Sequence, residues 1–301
     1  MREVVQKKKP LGSHTKFFEK IYKLKTGLPA AAAMGLEDRM CVAQGQAHEA
    51  FHALIAGGVA GIQREVDSLA SESPDGDKAR EVQAILRYIR FEETGGGLHP
   101  KLDKGNEGKR LSDFCAHGRA TKCGLSEAEV VAIRLYTTLA YSLMNDPLRD
   151  DGRYRQGRPC PLAVTTHFAA SGIKKLRRLN ADRASEEITL WRGMCNLEVA
   201  DDFLARGGTE LAFMSTTRDL EVAARYCLSP TGKSVLLKLV CRNFMTTGAD
   251  VHWLSAYPEE AEVLFPPLTY LRPTGRTETV VLRRGGVELS FAVVEVEPHL
   301  S

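Results

Sequence analysis

Four short stretches of the 301-residue chain hold residue types whose spacing could support chemistry. "HEAFH" at 48–52 places His48 and His52 at i, i+4, which on a helix puts both imidazoles on one face with Glu49 beside them. That spacing can hold a zinc ion and a general base, provided a third ligand is found. No third histidine follows in "ALIAGG", and Glu65 lies further along the same expected helix, an unsuitable place for a ligand. Two histidines on a polar helix face are the favoured reading. "LWRGM" (190–194) sets Arg192 among bulky apolar residues and follows it with Gly193; alone, such an arginine is commonly an ion-pair partner. "FMSTT" (213–217) offers Ser215, Thr216 and Thr217, which alone suit a strand leading to a helix cap. "YPEEAEVLFPP" (257–267) crowds Glu259, Glu260 and Glu262 at the mouth of an apolar run. If that segment is extended, Glu260 and Glu262 share a face roughly 6.5–7 Å apart along the strand. Alone, paired edge carboxylates often serve to block strand-to-strand association.

The elements that must position these residues follow from periodicity. Segments 41–70 and 78–93 carry apolar residues at helical spacing, separated by the turn-rich "SESPDGD". The polar stretch 98–110 reads as a linker or long loop. Segment 126–149 opens with a Ser-x-x-Glu capping box, Ser126 and Glu129, and is expected to run as one helix; 162–179 is another. Strand-like segments then take over at 187–194, 209–217, 233–241, 261–267, 278–284 and 288–297, with a short helix at 220–227. Helices first and strands later indicate an α+β fold with antiparallel sheets. The glycine-rich "AGGVAG" (56–61) and "TGGGLHP" (94–100) are neither Rossmann nor Walker loops, and read as a helix kink or end and a loop.

Taken together, an Arg at one strand end, Ser-Thr-Thr at the next and Glu-x-Glu entering an apolar strand that ends in proline resemble the Arg-Ser-Glu class of mono-ADP-ribosyltransferases. A fourth stretch agrees: "YSLMNDPLR" (141–149) is similar to that family's Tyr-x-x-Ile-Asn-x-x-Leu-Arg helix, with Met144 in place of Ile. The resemblance covers about 111–301. It implies an α+β ADP-ribosyltransferase fold, two antiparallel sheets flanking an NAD cleft, with Arg192, Gly193, Ser215, Tyr141 and Asn145 as cofactor-binding residues. Arg192, Ser215, Glu260 and Glu262 are the implied catalytic set, and Tyr257 the acceptor-contacting aromatic. Two departures are Thr217, where the family often has Ser, and Cys195, which carries no assigned role.

The implied reaction breaks the N-glycosidic bond of NAD, the substrate, through an oxocarbenium-like transition state. Nicotinamide leaves as a neutral ring, so no general acid is needed, and one carboxylate placed where positive charge develops is enough. Glu262 fits that role, with Ser215 fixing its rotamer. Arg192 offers a planar fork for the pyrophosphate or ribose, and Gly193 lets backbone groups approach the nicotinamide amide. Arginine as acceptor is protonated at neutral pH, so a second carboxylate, Glu260, must hold and deprotonate it. In the family, Glu-x-Glu goes with arginine acceptors. NAD against NADP is left open, and no metal is required. An NAD glycohydrolase on the same fold, a zinc metallopeptidase built on His48, Glu49 and His52, and a silent interaction domain are the alternatives.

Bulk properties bound the rest. A composition 43% hydrophobic and 26% charged suits a soluble core, and 41 basic against 38 acidic residues give no argument for nucleic acid or an anionic membrane. Seven cysteines without a Cys-x-x-Cys pair make a disulfide scaffold or zinc ribbon unexpected. No apolar leader region shows in the first thirty residues, and "LPAAAAMGL" (28–36) is far short of the roughly 20 residues a membrane span needs. The expectation is a soluble cytoplasmic monomer acting on an arginine-bearing acceptor protein. It would carry a basic arm at 1–26, a helical segment at 27–110 and a catalytic domain at 111–301.

Overall fold

The computed structural model describes residues 35–72, 76–91, 102–179, 187–195, 201–227, 234–284 and 287–300; the arm at 1–26 and the glycines of 94–100 lie outside them. The chain forms two compact units, each assembled from separated segments. The helical unit spans Met34–Asp182 and Gly248–Pro267; the sheet unit takes in Arg183–Thr247 and Leu268–Ser301. A boundary at 110 therefore falls inside the helical unit.

The helical unit begins with α1 (Leu36–Met40), α2 (Gly45–Ala56) and α3 (Val59–Glu72), where the sequence suggested one helix from 41. The break between α2 and α3 is at Gly57-Gly58, and Gly58 has a φ of 54°, a left-handed conformation that glycine adopts without a Cβ penalty. Next come α4 (Gly76–Phe91), α5 (Leu111–Ala116), α6 (Gly118–Cys123) and α7 (Glu127–Leu135). The expected capping box opens α7: Glu129 N–H donates to Ser126 Oγ at 3.3 Å, and Ser126 N–H donates to Glu129 Oε2 at 2.7 Å. The helix expected to continue to 149 is interrupted by a π-helical turn, Tyr136–Ala140, before α8 (Tyr141–Arg149). Two successive threonines cause it. Thr137 and Thr138 turn their hydroxyls back onto the carbonyls of Arg134 and Leu135, at 2.8 and 2.6 Å, competing with the helix ladder. Then come α9 (Asp151–Arg155) and α10 (Ala163–Leu176), the latter packed against α7.

Among the described residues the strands are β1 (Ile188–Cys195), β2 (Gly208–Glu210), β3 (Met214–Thr217), β4 (Ser234–Cys241), β5 (Ala249–Asp250), β6 (Glu262–Phe265), β7 (Thr269–Arg284) and β8 (Val287–His299). The segment 209–217, expected as one strand, is two. In the sheet unit the order is β2-β7-β8-β4-β1-β3. The pairs are antiparallel except β4 with β8, which run parallel, so the sheet is mixed and the purely antiparallel expectation is corrected there. β2 and β3 sit at opposite ends of that order, a separation of about 24 Å across a flat sheet. Yet only Leu211–Phe213 join them, a connection that reaches at most about 14 Å. The sheet must therefore curl so that its two ends approach each other, and Ala212 and Phe213, both fully buried, fill the bend. Two helices belong to this unit, α11 (Asp201–Arg206) and α12 (Leu220–Tyr226). Ala223 and Ala224 of α12 pack with Leu236, Val280, Phe291 and Val293 into one apolar cluster. In the helical unit, β5 and β6 form a short antiparallel pair.

Candidate active site

In the sheet unit, β1 carries Arg192 and β3 carries Ser215, on antiparallel neighbours paired at Trp191 and Thr217. Arg192 Nη1 donates to the Ser215 main-chain carbonyl at 2.9 Å, so the two predicted residues meet through Ser215's backbone rather than its hydroxyl. Arg192 Nη2 lies 3.9 Å from Oε2 of Glu210, a fully buried carboxylate that the motif reading missed. Glu210 stands at the end of β2, and the curl of the sheet is what carries it to β1. Its Oε1 accepts the Ala212 N–H at 3.1 Å, which fixes the carboxylate in the bend. The signal that could have found it was a lone carboxylate in an apolar strand, four residues ahead of Met214-Ser215. The Arg192 Nε is buried and has no hydrogen-bond partner among the described residues. A charged donor left in that state is costly unless an acceptor arrives, which fits a guanidinium kept ready for an anionic ligand.

Gly193 is required for a reason the sequence did not suggest. A Cβ there would lie 1.9 Å from the Ala223 carbonyl oxygen and 3.0 Å from Cys227 Sγ. The missing side chain lets α12 seat its last turn directly on β1, beside Arg192. Thr217 leads into a helix cap: its hydroxyl accepts the Asp219 N–H at 3.1 Å, and Asp219 caps α12 through the Glu221 N–H at 2.8 Å.

In the helical unit, the two glutamates of the Glu-x-Glu motif do not lie along one strand. Pro258–Glu260 is a 3-10 turn, Ala261 is left-handed at φ 47°, and β6 begins only at Glu262. The two-residue repeat therefore does not relate Glu260 to Glu262, and the same-face argument is corrected. What the turn achieves is a difference in environment: Glu262 is buried at the head of a fully buried strand, while Glu260 is half-exposed and Glu259 exposed. Tyr257 N–H donates to Ser255 Oγ at 3.0 Å, and its carbonyl accepts the Glu260 N–H at 3.1 Å. Burial, then the nearby Glu260 and Glu259, raise the Tyr257 phenol above its ordinary value, so it remains a hydrogen-bond donor.

The segment feeding this turn is held by groups that carried no motif. Arg134, buried on α7, donates through Nη1 to Leu254 O at 3.1 Å and pairs through Nη2 with Asp103 Oδ2 at 2.5 Å, its guanidinium 3.9 Å above the Phe114 ring. Asp103 N–H donates to Ala256 O at 2.7 Å, Asn106 Nδ2 to Ser255 O at 3.1 Å, and Ala256 N–H to Thr137 Oγ1 at 2.9 Å. The described part of the expected linker, 102–110, is thus a clamp on residues 254–256. The π-turn is what presents Thr137 to that clamp. On α8, Tyr141 is 52% exposed, whereas Asn145 is buried with its amide donating to the Tyr136 hydroxyl at 3.2 Å. Among the described residues no helix is long and apolar enough to cross a membrane.

The family described as NAD:arginine ADP-ribosyltransferase matches residues 107–283, more than half of the chain. No match was found among curated proteins. Solved structures similar to this chain include Plx2a, an ADP-ribosyltransferase toxin from Paenibacillus larvae, at 19% identity over 62% of this chain and 94% of that one, with a TM-score of 0.43. The ADP-ribosyltransferase HopU1 of Pseudomonas syringae pv. tomato DC3000 aligns at 19% identity over 72% and 97%, with a TM-score of 0.42. A variant of the eukaryotic mono-ADP-ribosyltransferase ART2.2 in complex with NADH aligns at 12% identity over 82% and 86%, with a TM-score of 0.47. The family match spans Arg192, Ser215 and both motif glutamates, and on that match this chain belongs to the NAD:arginine ADP-ribosyltransferase family, enzymes that transfer ADP-ribose from NAD.

Proposed function

We propose that the chain transfers ADP-ribose from NAD to an arginine side chain of an acceptor protein, with release of nicotinamide. The observation that carries this reading is the unequal placement of the motif glutamates, Glu262 buried at the strand mouth and Glu260 half-exposed on the turn before it. A buried carboxylate exerts its field in a medium that screens it less, which suits stabilisation of an oxocarbenium-like ribose. A half-exposed carboxylate can meet a residue of another protein. In this reading the bond from ribose C1′ to the nicotinamide nitrogen breaks, and the pyridinium takes the bonding pair and leaves neutral. A guanidine nitrogen then bonds to C1′, and its proton passes to Glu260. Arg192 binds the pyrophosphate or ribose, its unpartnered Nε supporting that role. Tyr257 contacts the acceptor.

The test uses labelled NAD with agmatine or polyarginine as acceptor. Glu262→Gln is expected to abolish both transfer and NAD hydrolysis. Glu260→Gln is expected to spare hydrolysis while removing arginine modification. Equal loss of both activities in both variants would overturn the division of labour. NAD hydrolysis by the native chain that agmatine leaves unchanged would make it a glycohydrolase.

A further inference from the structure

The His-Glu-x-x-His stretch lies outside the family match and takes no part in the transfer chemistry. The structure brings a third donor residue beside it that sequence spacing did not suggest. Glu37 of α1 joins His48 and His52 of α2, with one ligand atom from each within 4.8 Å of the others. Glu65, the ligand considered from sequence, is committed elsewhere, accepting the Val164 N–H at 2.7 Å and the Thr165 N–H at 2.9 Å.

The group is held in place by backbone. α1 ends with Cys41 left-handed at φ 59°; the Cys41 N–H donates to Asp38 O and the Val42 N–H to Glu37 O, each at 3.0 Å. That double closure fixes the Glu37 backbone against Val42. The Val42 carbonyl then lies 3.3 Å from His48 Nδ1. A carbonyl there selects the tautomer with the proton on Nδ1, leaving the Nε2 lone pair for a metal, the usual outer support of a ligating histidine. The His48 and His52 rings are 4.2 Å apart between centroids, edge to face, with one ligand atom of each inside the 4.8 Å group. Behind them Arg39 anchors α1, its Nε donating to Leu148 O at 2.6 Å.

We propose that Glu37, His48 and His52 form a binding site for a divalent transition ion, Zn²⁺ by donor set, which clamps α1 to α2. Two imidazoles and one carboxylate suit zinc, and tetrahedral coordination places such donors about 3.3 Å apart, within reach of side-chain rotation from the observed spacing. His52 is exposed, so water completes the coordination. Glu49 is exposed too and is not one of the three ligands.

The test is calorimetric titration of the chelator-treated full chain with ZnCl₂, repeated with Co²⁺ while recording absorption and with thermal unfolding at each metal level. One ion per chain is expected, with the melting temperature rising a few degrees at hundredfold excess over Kd. His52→Ala and Glu37→Gln are each expected to weaken binding about tenfold or more and to remove the thermal shift, while Glu49→Gln leaves both unchanged. His52 is exposed, so its variant folds as the native chain does. The proposal is overturned by unchanged affinity in either ligand variant. It is equally overturned by thiolate-to-cobalt charge-transfer absorption, which would place the ion on cysteine, or by no binding at about 100 μM free zinc.

Discussion

Arg192 has its three guanidinium nitrogens in three different settings. Its Nη1 is occupied by the Ser215 carbonyl, its Nη2 faces Glu210 at 3.9 Å, and its Nε has no partner among the described residues. The ion pair is at the outer limit of contact, and the Arg192 side chain is 18% exposed, so the field of Glu210 orients the guanidinium without neutralising it. Glu210→Gln keeps the bond to the Ala212 N–H and removes the charge. The expected result is a KM for NAD raised about tenfold, equivalent to about 1.4 kcal/mol, with kcat for NAD hydrolysis little changed. A fall in kcat at unchanged KM would place Glu210 outside the positioning of Arg192. Arg192, Ser215, Glu260 and Glu262 could be picked out in sequence because the proposed chemistry asks for those types in that order. Glu210 was not, because its nearness to Arg192 comes from the curl of the sheet and no spacing along the chain encodes it. Glu260 and Glu262 were legible as a pair but not as a geometry, because a left-handed Ala261 is not signalled by alanine.

Glu65 makes the corresponding point for elements. Leu162, the residue before α10, has no side chain able to cap a helix, and the orphan N–H groups of Val164 and Thr165 are met by Glu65 from α3 instead. The Thr165 hydroxyl donates to the same carboxylate at 2.7 Å and can reverse that bond to accept from a protonated acid. Burial outweighs these hydrogen bonds and raises Glu65 from an ordinary 4.5 to about 7. The folded state therefore binds this proton more tightly than the unfolded chain does. The stability so conferred is fully present below pH 4.5, is lost as pH rises to about 7, and changes no further above it, a span on the order of 3 kcal/mol. Glu65→Gln is expected to be less stable at low pH, because its amide N–H₂ faces a backbone donor, and to lack this slope. Parallel melting-temperature profiles for the two proteins between pH 4.5 and 7 would remove Glu65 as the cause. Periodicity located α3, α7 and α10, and the Ser126–Glu129 box started α7 where sequence placed it. The cap of α10 was not legible, because it is borrowed from a helix about a hundred residues away.

For the whole molecule, the question is whether residues 1–106, ahead of the family match, are an appendage. The family match begins at 107, and composition changes near 111, which suggests a catalytic portion able to stand alone. The contacts argue otherwise. Asp103 is the ion-pair partner of the buried Arg134 and also donates its N–H to Ala256, two residues ahead of the turn that bears Glu260. Asn106 holds Ser255, Glu65 caps α10, and Met40 O accepts the Cys160 N–H at 2.9 Å. Ile62, Val66 and Leu86 are fully buried apolar side chains from the same region. A fragment starting at 107 would leave Arg134 charged, buried and unpaired, a loss of roughly 3–5 kcal/mol before any apolar burial is counted. A domain of this size has only about 5–15 kcal/mol to lose. The fragment 107–301 is therefore expected to be insoluble or to lack a cooperative thermal transition and near-ultraviolet circular dichroism. Asp103→Asn in the full chain isolates one part of that loss, with an expected destabilisation of about 3 kcal/mol by urea titration. If the fragment melted within a degree or two of the full chain and hydrolysed NAD at the same rate, the N-terminal helices would be an appendage. Fragment failure together with a destabilised Asp103→Asn chain would make them part of the scaffold that aims Glu260.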